Sequence, residues 1–563
     1  MLILGVNGWY ERGHDATACI VQDGKLIAAV EEERLIRKKH SYDTMPWQSI
    51  AWCLNHCNIG INNIDAIAVG WDIALLYKRH GQDLPFHTND QYLDILLPER
   101  YFNKRNRSIP VFFVNHHLAH AASAYYLSGF NEALVLVADG QGEDVATTIW
   151  KGANCSLEKL ASFPIALSLG YFFEAVSSFI GFSTTHAGKT MGLAGYGDAP
   201  DLKFFKLTQG GYALNDNFKL IPDSAKLDEQ SLLFDYWGGR LEKIFGVSNK
   251  RHYSFSKQRG VLVPDTQIGT REQNIAALTQ YETERVLLHL IETYMRKAGT
   301  RNLCMAGGVA LNCSCNGKIK LSGFVNDMFI QPASHDAGVA IGAALHVAGQ
   351  HIKLPQQRMT YANIGPNYSD NEIAFILQNL GMKFEVLDDI PTATAELIAD
   401  GNVIGWVQNG CEIGPRALGS RSILADPRTI ESRDKTNNIK GREQWRPLSP
   451  SVLNEKSAWL HGKSVDSPFM LQGLPVVDEK RDNIAGIVHI DGTARSQTVT
   501  KELPRYHKML SVFNALTGIP LVINTSFNGP GEPIVCTPYN ALQCFFDRPL
   551  DALIMGNCLI KKR

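Results

Sequence analysis

Short apolar blocks, each closed by a polar turn, recur along the first half of the chain. One stretch, LILGVNGWYERGHDATACIVQDGKLIAAV, begins at Leu2, and another, LVLVADGQGEDVATTIWKGANCSLEKLASF, begins at Leu134. Both run in the same order: an apolar strand, a turn rich in Gly and Asp or Asn, a second strand containing Ala-Thr, a lysine or glycine turn, and a third strand. An internal copy of this kind predicts two similar α/β lobes facing each other across a cleft. AIAVGW (Ala66–Trp71) and PVFFV (Pro110–Val114) read as buried strands. Apolar residues at helical spacing predict a helix over Asn274–Gly299, stopped by Lys297 and Gly299. NLCMAGGVALN reads as strand, glycine turn and helix start, and Asp336–Gln350 as a helix whose small residues suit close packing.

The pattern lapses around Pro355 and Pro366, among scattered polar residues. A linker is therefore expected at 356–368, between a two-lobed unit at 1–355 and a second α/β unit at 369–563. The second unit carries strands such as NVIGWVQ and IPLVINTSFN.

At 563 residues the chain is too long for one ordinary core. Its 45% hydrophobic and 20% charged residues are ordinary for a globular protein, and a net charge of −1 advertises no nucleic-acid partner. Eleven irregularly spaced cysteines are not a disulfide framework, and Cys53/Cys57 and Cys313/Cys315 lack structural-zinc spacing. A strand-like N-terminus without a basic leader, and the lack of a run of ~20 apolar residues, point to a cytoplasmic protein with no membrane partner.

The densest chemistry lies in FVNHHLAHAASAYY, where His116 and His120 share a helix face at i, i+4 and His117 and His120 at i, i+3. Spacing alone does not choose between the pairs. Asp139, where the next strand ends, and Asp336, at a glycine-flanked strand–helix junction, are candidate oxygen ligands. Two imidazoles with two carboxylates suit a divalent transition metal such as iron, manganese or zinc. THAGKTMGLAGYG is not a P-loop, because Ser183 stands where its first glycine must be; Lys189 can still meet a phosphate. MAGGVALNCSCNGK is a better nucleotide turn, with Gly308 for close approach and Asn312 at a helix start. His14, in GHDATA, has the chemistry of a general base. EEERLIRKKH (Glu31–His40) alternates sign and reads as a solvated face. The last third gathers Arg416, Arg421, Lys440, Arg442, Arg446, Arg495, Arg505 and His507 near turns bearing Asn524, Thr525, Ser526 and Asn528, the make-up of a phosphate site.

In order along the chain stand GHDA, EEER…RKKH, HHLAHAASAYY, DGQGE, GKTMGLAGYG, AGGVALN, GPRALGSRS, WRPLSPS and NTSFNGPGEPIV. This set resembles the O-carbamoyltransferase family of natural-product biosynthesis, of the nodulation, cephamycin and nebramycin type, over essentially the full length. The resemblance implies an N-terminal duplicated actin/sugar-kinase/Hsp70-like domain, similar to tRNA threonylcarbamoyltransferases, and a C-terminal YrdC-like α/β domain. It implies that the latter makes carbamoyl-adenylate from carbamoyl phosphate and Mg-ATP. The carbamoyl group would then pass to a free hydroxyl of a small-molecule acceptor in the N-terminal cleft. By the same resemblance iron(II) or another divalent transition metal would be held by His116, His120, Asp139 and Asp336, with His14 as base. Arg416 and Lys440 would act in catalysis. Arg416, Arg446, Arg495, Asn524, Ser526 and Asn528 would hold carbamoyl phosphate and ATP, and Gly142, Lys189, Gly308 and Asn312 the adenylate. A tRNA-modifying enzyme of the threonylcarbamoyl type is the alternative; the neutral charge and the fused second unit argue against it. A kinase-like nucleotide sensor would leave the histidines and aspartates without a purpose. The acceptor is not legible, and a homodimer is one option for the assembly.

Overall fold

The computed structural model describes residues 1–11, 13–218, 230–249, 253–256, 261–264 and 268–562. Leu2–Asn7 (β1) is central to the first sheet because Ile3, Leu4 and Val6 leave it buried on both faces. It pairs antiparallel with Thr17–Gln22 (β2), which pairs antiparallel with Lys25–Glu31 (β3). On its other side β1 runs parallel to Ala66–Val69 (β4), and β4 to Val111–Phe113 (β5). The second sheet repeats this plan with Glu132–Ala138 (β6), Val145–Ala153 (β7), Ser156–Pro164 (β8), Asn302–Ala306 (β9) and Asp327–Ile330 (β10). The orders β3-β2-β1-β4-β5 and β8-β7-β6-β9-β10 match strand for strand and sense for sense. The two similar α/β lobes expected from the two stretches are present.

The helices that shape the cleft are Glu32–Ile36 (α1), His116–Tyr125 (α2), Thr270–Ala298 (α3), Cys313–Leu321 (α4) and Ala337–His351 (α5). α3 ends at Gly299 in the left-handed region (φ 69°), with its N–H on the Met295 carbonyl, as its stop signals predict. α5 is wedged between β1 and α2, and its small residues make this possible. A Cβ at Gly342 would lie 1.7 Å from the Ala119 carbonyl oxygen, and one at Gly5 would lie 2.2 Å from that of Ala340. Gly342→Ala is therefore expected to destabilise the fold by about 3 kcal/mol by pushing α5 away from α2, which carries His116 and His120. Chemical denaturation checks the loss.

The remaining large sheet has eight strands. They are Glu385–Val386 (β11), Ile404–Val407 (β12), Arg421–Ala425 (β13), Ser449–Leu453 (β14), Gln497–Val499 (β15), Leu521–Ser526 (β16), Ala552–Met555 (β17) and Cys558–Lys561 (β18). Their order is β11-β18-β17-β12-β13-β16-β14-β15. The stretch read as a linker is tied down: the Cys411 N–H donates to the Pro366 carbonyl, Gly365 to Cys411 and Ile413 to Ala362, each at 2.9 Å. Ile413, Leu418 and Phe469–Leu471 join the core of the first two lobes. No described helix is long and apolar enough to cross a membrane.

Candidate active site

The start of α2 is fixed by one buried carboxylate. Glu143 accepts the backbone N–H groups of His116 and Asp72 at 2.8 Å and the Asn115 amide at 2.6 Å, while Asn115 caps the helix through the Leu118 N–H. His116 Nδ1 lies 3.2 Å from the Gly70 carbonyl, so Nδ1–H donates there and Nε2 faces inward. Trp71 stacks on the same ring, with centroids 3.7 Å apart.

Four side chains from one helix and two junctions converge. His116 Nε2 and His120 Nε2 are 3.1 Å apart. Asp139 Oδ2 lies 3.5 and 3.0 Å from them, and Asp336 Oδ1 3.6 and 3.7 Å. Four donors held at ~2.1 Å around one tetrahedral ion stand about 3.4 Å from each other, so the spacing and the two-imidazole, two-carboxylate donor set fit a divalent transition metal. Burial alone would raise both carboxyls, but the facing imidazoles outweigh it and hold Asp139 and Asp336 below the usual carboxylate range. Asp139 keeps its other oxygen on the Gly140 and Gly308 N–H groups at 2.8 and 3.0 Å. The structure also answers the register question. His117 turns away, with Nδ1 3.0 Å from Thr148 Oγ1, and the group is His116, His120, Asp139 and Asp336.

His14 stands at the edge of this cluster, with Nδ1 3.0 Å from Asp15 Oδ2 and Nε2 3.8 Å from Asp336 Oδ2. Burial disfavours its charge, yet Asp336 and then Asp15 outweigh burial and push its pKa up to about 10. While those carboxylates are bare, the imidazole holds a proton. The largest source of that stabilisation is Asp336, one of the four converging side chains.

The turns read as nucleotide sites divide. Gly308 and Asn312 line the cleft next to Asp139. Asn312 caps α4 through the Cys315 N–H and exchanges two hydrogen bonds with Gln280. Lys189 lines the same space but pairs with Glu443 Oε1 at 2.7 Å. Gly142 is not on the wall: its N–H donates to the Val145 carbonyl, and a Cβ there would meet the His117 ring.

In the third sheet, Arg416, Arg442, Arg446 and Arg495 line a chamber with Asn524 and Ser526. Arg495 Nε donates to Ser449 Oγ, and buried Asn524 donates to Ala417 O, Ser451 Oγ and Gln497 Oε1, leaving its own Oδ1 without a partner. Lys440 and Asn528 sit behind this wall. The Lys440 ammonium is surrounded by Ser526 O and Oγ and by Asn528 O and Oδ1 at 2.5–3.1 Å. Burial first, and then Arg442, lower its pKa well below the ordinary lysine value. Lys440 thus supports the Ser526–Asn528 turn rather than presenting its charge to a reactant.

Both clusters open into one cavity of about 1130 Å³, whose wall runs from His14, Asp139 and Asp336 to Arg446, Arg495 and Ser526. Sequence reasoning missed Lys39 as a wall residue, and it misread EEERLIRKKH. Glu31, Glu32, Glu33 and Arg34 are buried rather than solvated, because their charges meet each other and backbone groups. His186 faces the same cavity; burial, then Lys189, Lys39 and Arg446, bring its pKa down to about 4. Its contribution to stability is full above the ordinary value of 6.5 and is lost as pH falls through about 4. An anion bound among these cations raises that pKa again. Pyrophosphate binding between these two pH values is thus expected to take up protons, which calorimetry in two buffers of different ionisation heat measures; His186→Gln should remove the uptake.

Comparison with known proteins fits this arrangement. The family described as Carbamoyltransferase N-terminus matches residues 2–345, and Carbamoyltransferase C-terminus matches residues 395–562. Nodulation protein NolNO of Sinorhizobium fredii is 37% identical, across 98% of this chain and 79% of that protein. Nodulation protein NolO of Bradyrhizobium diazoefficiens is 36% identical, across 80% of this chain and 79% of its own. Solved structures are more distant: T. kodakarensis HypF overlaps 62% of this chain and 48% of its own at 14% identity and a TM-score of 0.32. With both halves matched, and with such relatives along nearly the whole chain, the protein belongs to the carbamoyltransferase family.

Proposed function

We propose that the chain is an ATP-dependent O-carbamoyltransferase with its two half-reactions at opposite ends of one cavity. Residues 369–563 would form carbamoyl-adenylate, residues 1–355 would transfer the carbamoyl group, and 356–368 would connect them. In the first half, water releases phosphate from carbamoyl phosphate, and the carbamate oxygen attacks the α-phosphorus of ATP as pyrophosphate leaves. In the second, an acceptor hydroxyl attacks the carbamoyl carbon, its proton is taken up, and AMP leaves. Arg416, Arg446 and Arg495, with Ser526 and the free Oδ1 of Asn524, would grip the phosphate oxygens, because guanidinium binds them bidentately. Gly308 and Asn312 would seat the adenylate beside the cluster. His116, His120, Asp139 and Asp336 would hold a divalent transition metal, which supplies Lewis acidity when bound. His14, held by Asp15, would accept the hydroxyl proton once a bound cation offsets the charge of Asp336. Trp71 and Tyr77 line the same end of the cavity and suit a small-molecule acceptor.

The observation that carries this reading is the single cavity linking a four-ligand cluster to an arginine-lined chamber. A water-labile adenylate formed at one end would cross this cavity to the other, and a shielded route would protect it from hydrolysis. Protein, ATP, carbamoyl phosphate and Mg²⁺ mixed without acceptor should release pyrophosphate. No release would sink the proposal, and release only with tRNA would favour a threonylcarbamoyl-type activity. Labelled carbamate appearing in solvent during turnover with acceptor would refute confinement of the intermediate.

A further inference from the structure

The buried charged stretch beginning at Glu31 reaches out of its own lobe and grips the other unit. Arg34 Nη2 donates to the Gly414 carbonyl at 2.7 Å, while Glu31 Oε1 accepts the Gly414 N–H at 2.5 Å. Arg34 is also paired with Glu31 at 3.2 Å and with Glu33, and Glu33 Oε2 accepts the His40 N–H at 2.6 Å. A single ion pair of the first lobe thus holds both backbone groups of one residue in the second unit. Gly414 has φ +95°, and a Cβ there would lie 2.5 Å from the Pro332 carbonyl oxygen. Its other flank is therefore pressed on the turn that leads to Asp336. Only glycine combines that backbone with that approach.

The next residues are Pro415 and Arg416. Among the described residues, the Arg416 guanidinium makes no hydrogen bond to the protein, and its buried Nε has no partner. Its aim is set by the backbone that carries it, and that backbone is what Arg34 and Glu31 hold. Arg37 acts alike on a second turn: Nη1 and Nη2 donate to the carbonyls of Ile534 and Pro533 at 2.6 and 2.9 Å. That segment continues from Ser526 and Asn528, and the Val535 N–H returns to the Phe527 carbonyl at 2.9 Å.

We propose that Glu31, Arg34 and Arg37 are positioning residues for the anion-binding wall of the other unit, holding in register the two turns that present Arg416 and Ser526. A buried ion pair adds little net stability against an apolar pair of the same size. What this pair adds is a fixed place for Gly414, because two directional hydrogen bonds leave the turn one position. The first lobe thereby completes a site whose reacting groups all lie outside it. This rests on the reading that the arginine-lined chamber binds phosphate.

The test uses the full chain with inorganic pyrophosphate as the probe. Two variants serve: Arg37→Gln, which removes contacts to carbonyls alone, and the combined Glu31→Gln, Glu33→Gln and Arg34→Met, which removes the whole ion cluster without leaving a lone buried charge. Both are expected to lower pyrophosphate affinity roughly tenfold and to raise KM for carbamoyl phosphate by a similar factor, with a smaller change in kcat. Iron(II) affinity should stay at the wild-type level, and Arg37→Lys should recover part of the loss. A purely structural role would lower thermal stability without moving the KM-to-kcat balance. Either variant, folded by circular dichroism and binding pyrophosphate as tightly as the wild type, would overturn the assignment. Wild-type protein that binds pyrophosphate but releases none from ATP and carbamoyl phosphate would sink the adenylate-forming reading instead, and the affinity comparison would still judge these residues.

Discussion

His120→Ala is expected to cut carbamoyl transfer on the order of 10³-fold while acceptor-independent pyrophosphate release continues. His120 Nε2 stands 3.0 Å from Asp139 Oδ2 and 3.1 Å from His116 Nε2, so its loss removes one of four converging donors. Two carboxylates then face each other with a single imidazole between them. Several kcal/mol of charge stabilisation lost at the transfer step corresponds to a factor of this size. The chamber proposed to make the adenylate contains none of the four donors and should work on. The control is His117→Asn, one position from His116. His117 meets Thr148 and not the cluster, so this variant should match the wild type in an iron(II) titration. An iron(II) titration and separate assays of pyrophosphate and carbamoylated product distinguish the outcomes. Equal loss of both half-reactions in His120→Ala would contradict the division of labour.

Arg446→Met should do the reverse. Pyrophosphate release is expected to fall about 10²–10³-fold, the scale of removing one preorganised charged donor from a phosphoryl site. The same variant should be at least as heat-stable as the wild type. Arg442 and Arg446 are both pushed below the usual arginine range, by burial first and in Arg442 by Arg446 next. The contact of Arg446 with Glu443 is long, 3.9 Å. Removing one cation from a crowd therefore relieves repulsion while it weakens anion binding. Calorimetry with pyrophosphate and thermal unfolding of both proteins check this pair of effects. A large loss of stability would mean that Arg446 is a structural residue.

Particular residues show how far a single sequence reaches here. Helical spacing lets two imidazoles share a face, and both His116/His120 at i, i+4 and His117/His120 at i, i+3 satisfy it. The choice was made by the packing of α2: His117 is aimed at Thr148, and Glu143 and Gly70 orient His116. Lys440 looks like its arginine neighbours as a cation beside polar turns, but its shorter side chain ends behind the wall among four oxygens. Gly142 sits in a glycine turn like the others, but its N–H closes the hairpin.

The strand–turn order of the two lobes, the end of α3 at Gly299 and the small-residue face of α5 were all determined by the sequence itself. Each follows from local backbone preference and from which neighbouring side chains must leave water. The meeting of His116, His120, Asp139 and Asp336, and the burial of Glu31 and Arg34 against Gly414, were decided only by the tertiary structure. Asp336 is brought to His116 and His120 by α5 closing on α2 at Gly342, a contact between backbones that leaves no periodic trace. A run of alternating charges likewise looks the same whether water or a distant glycine's N–H and carbonyl satisfy it, because hydrogen-bonding capacity is a property of the residue and the partner is a property of the fold.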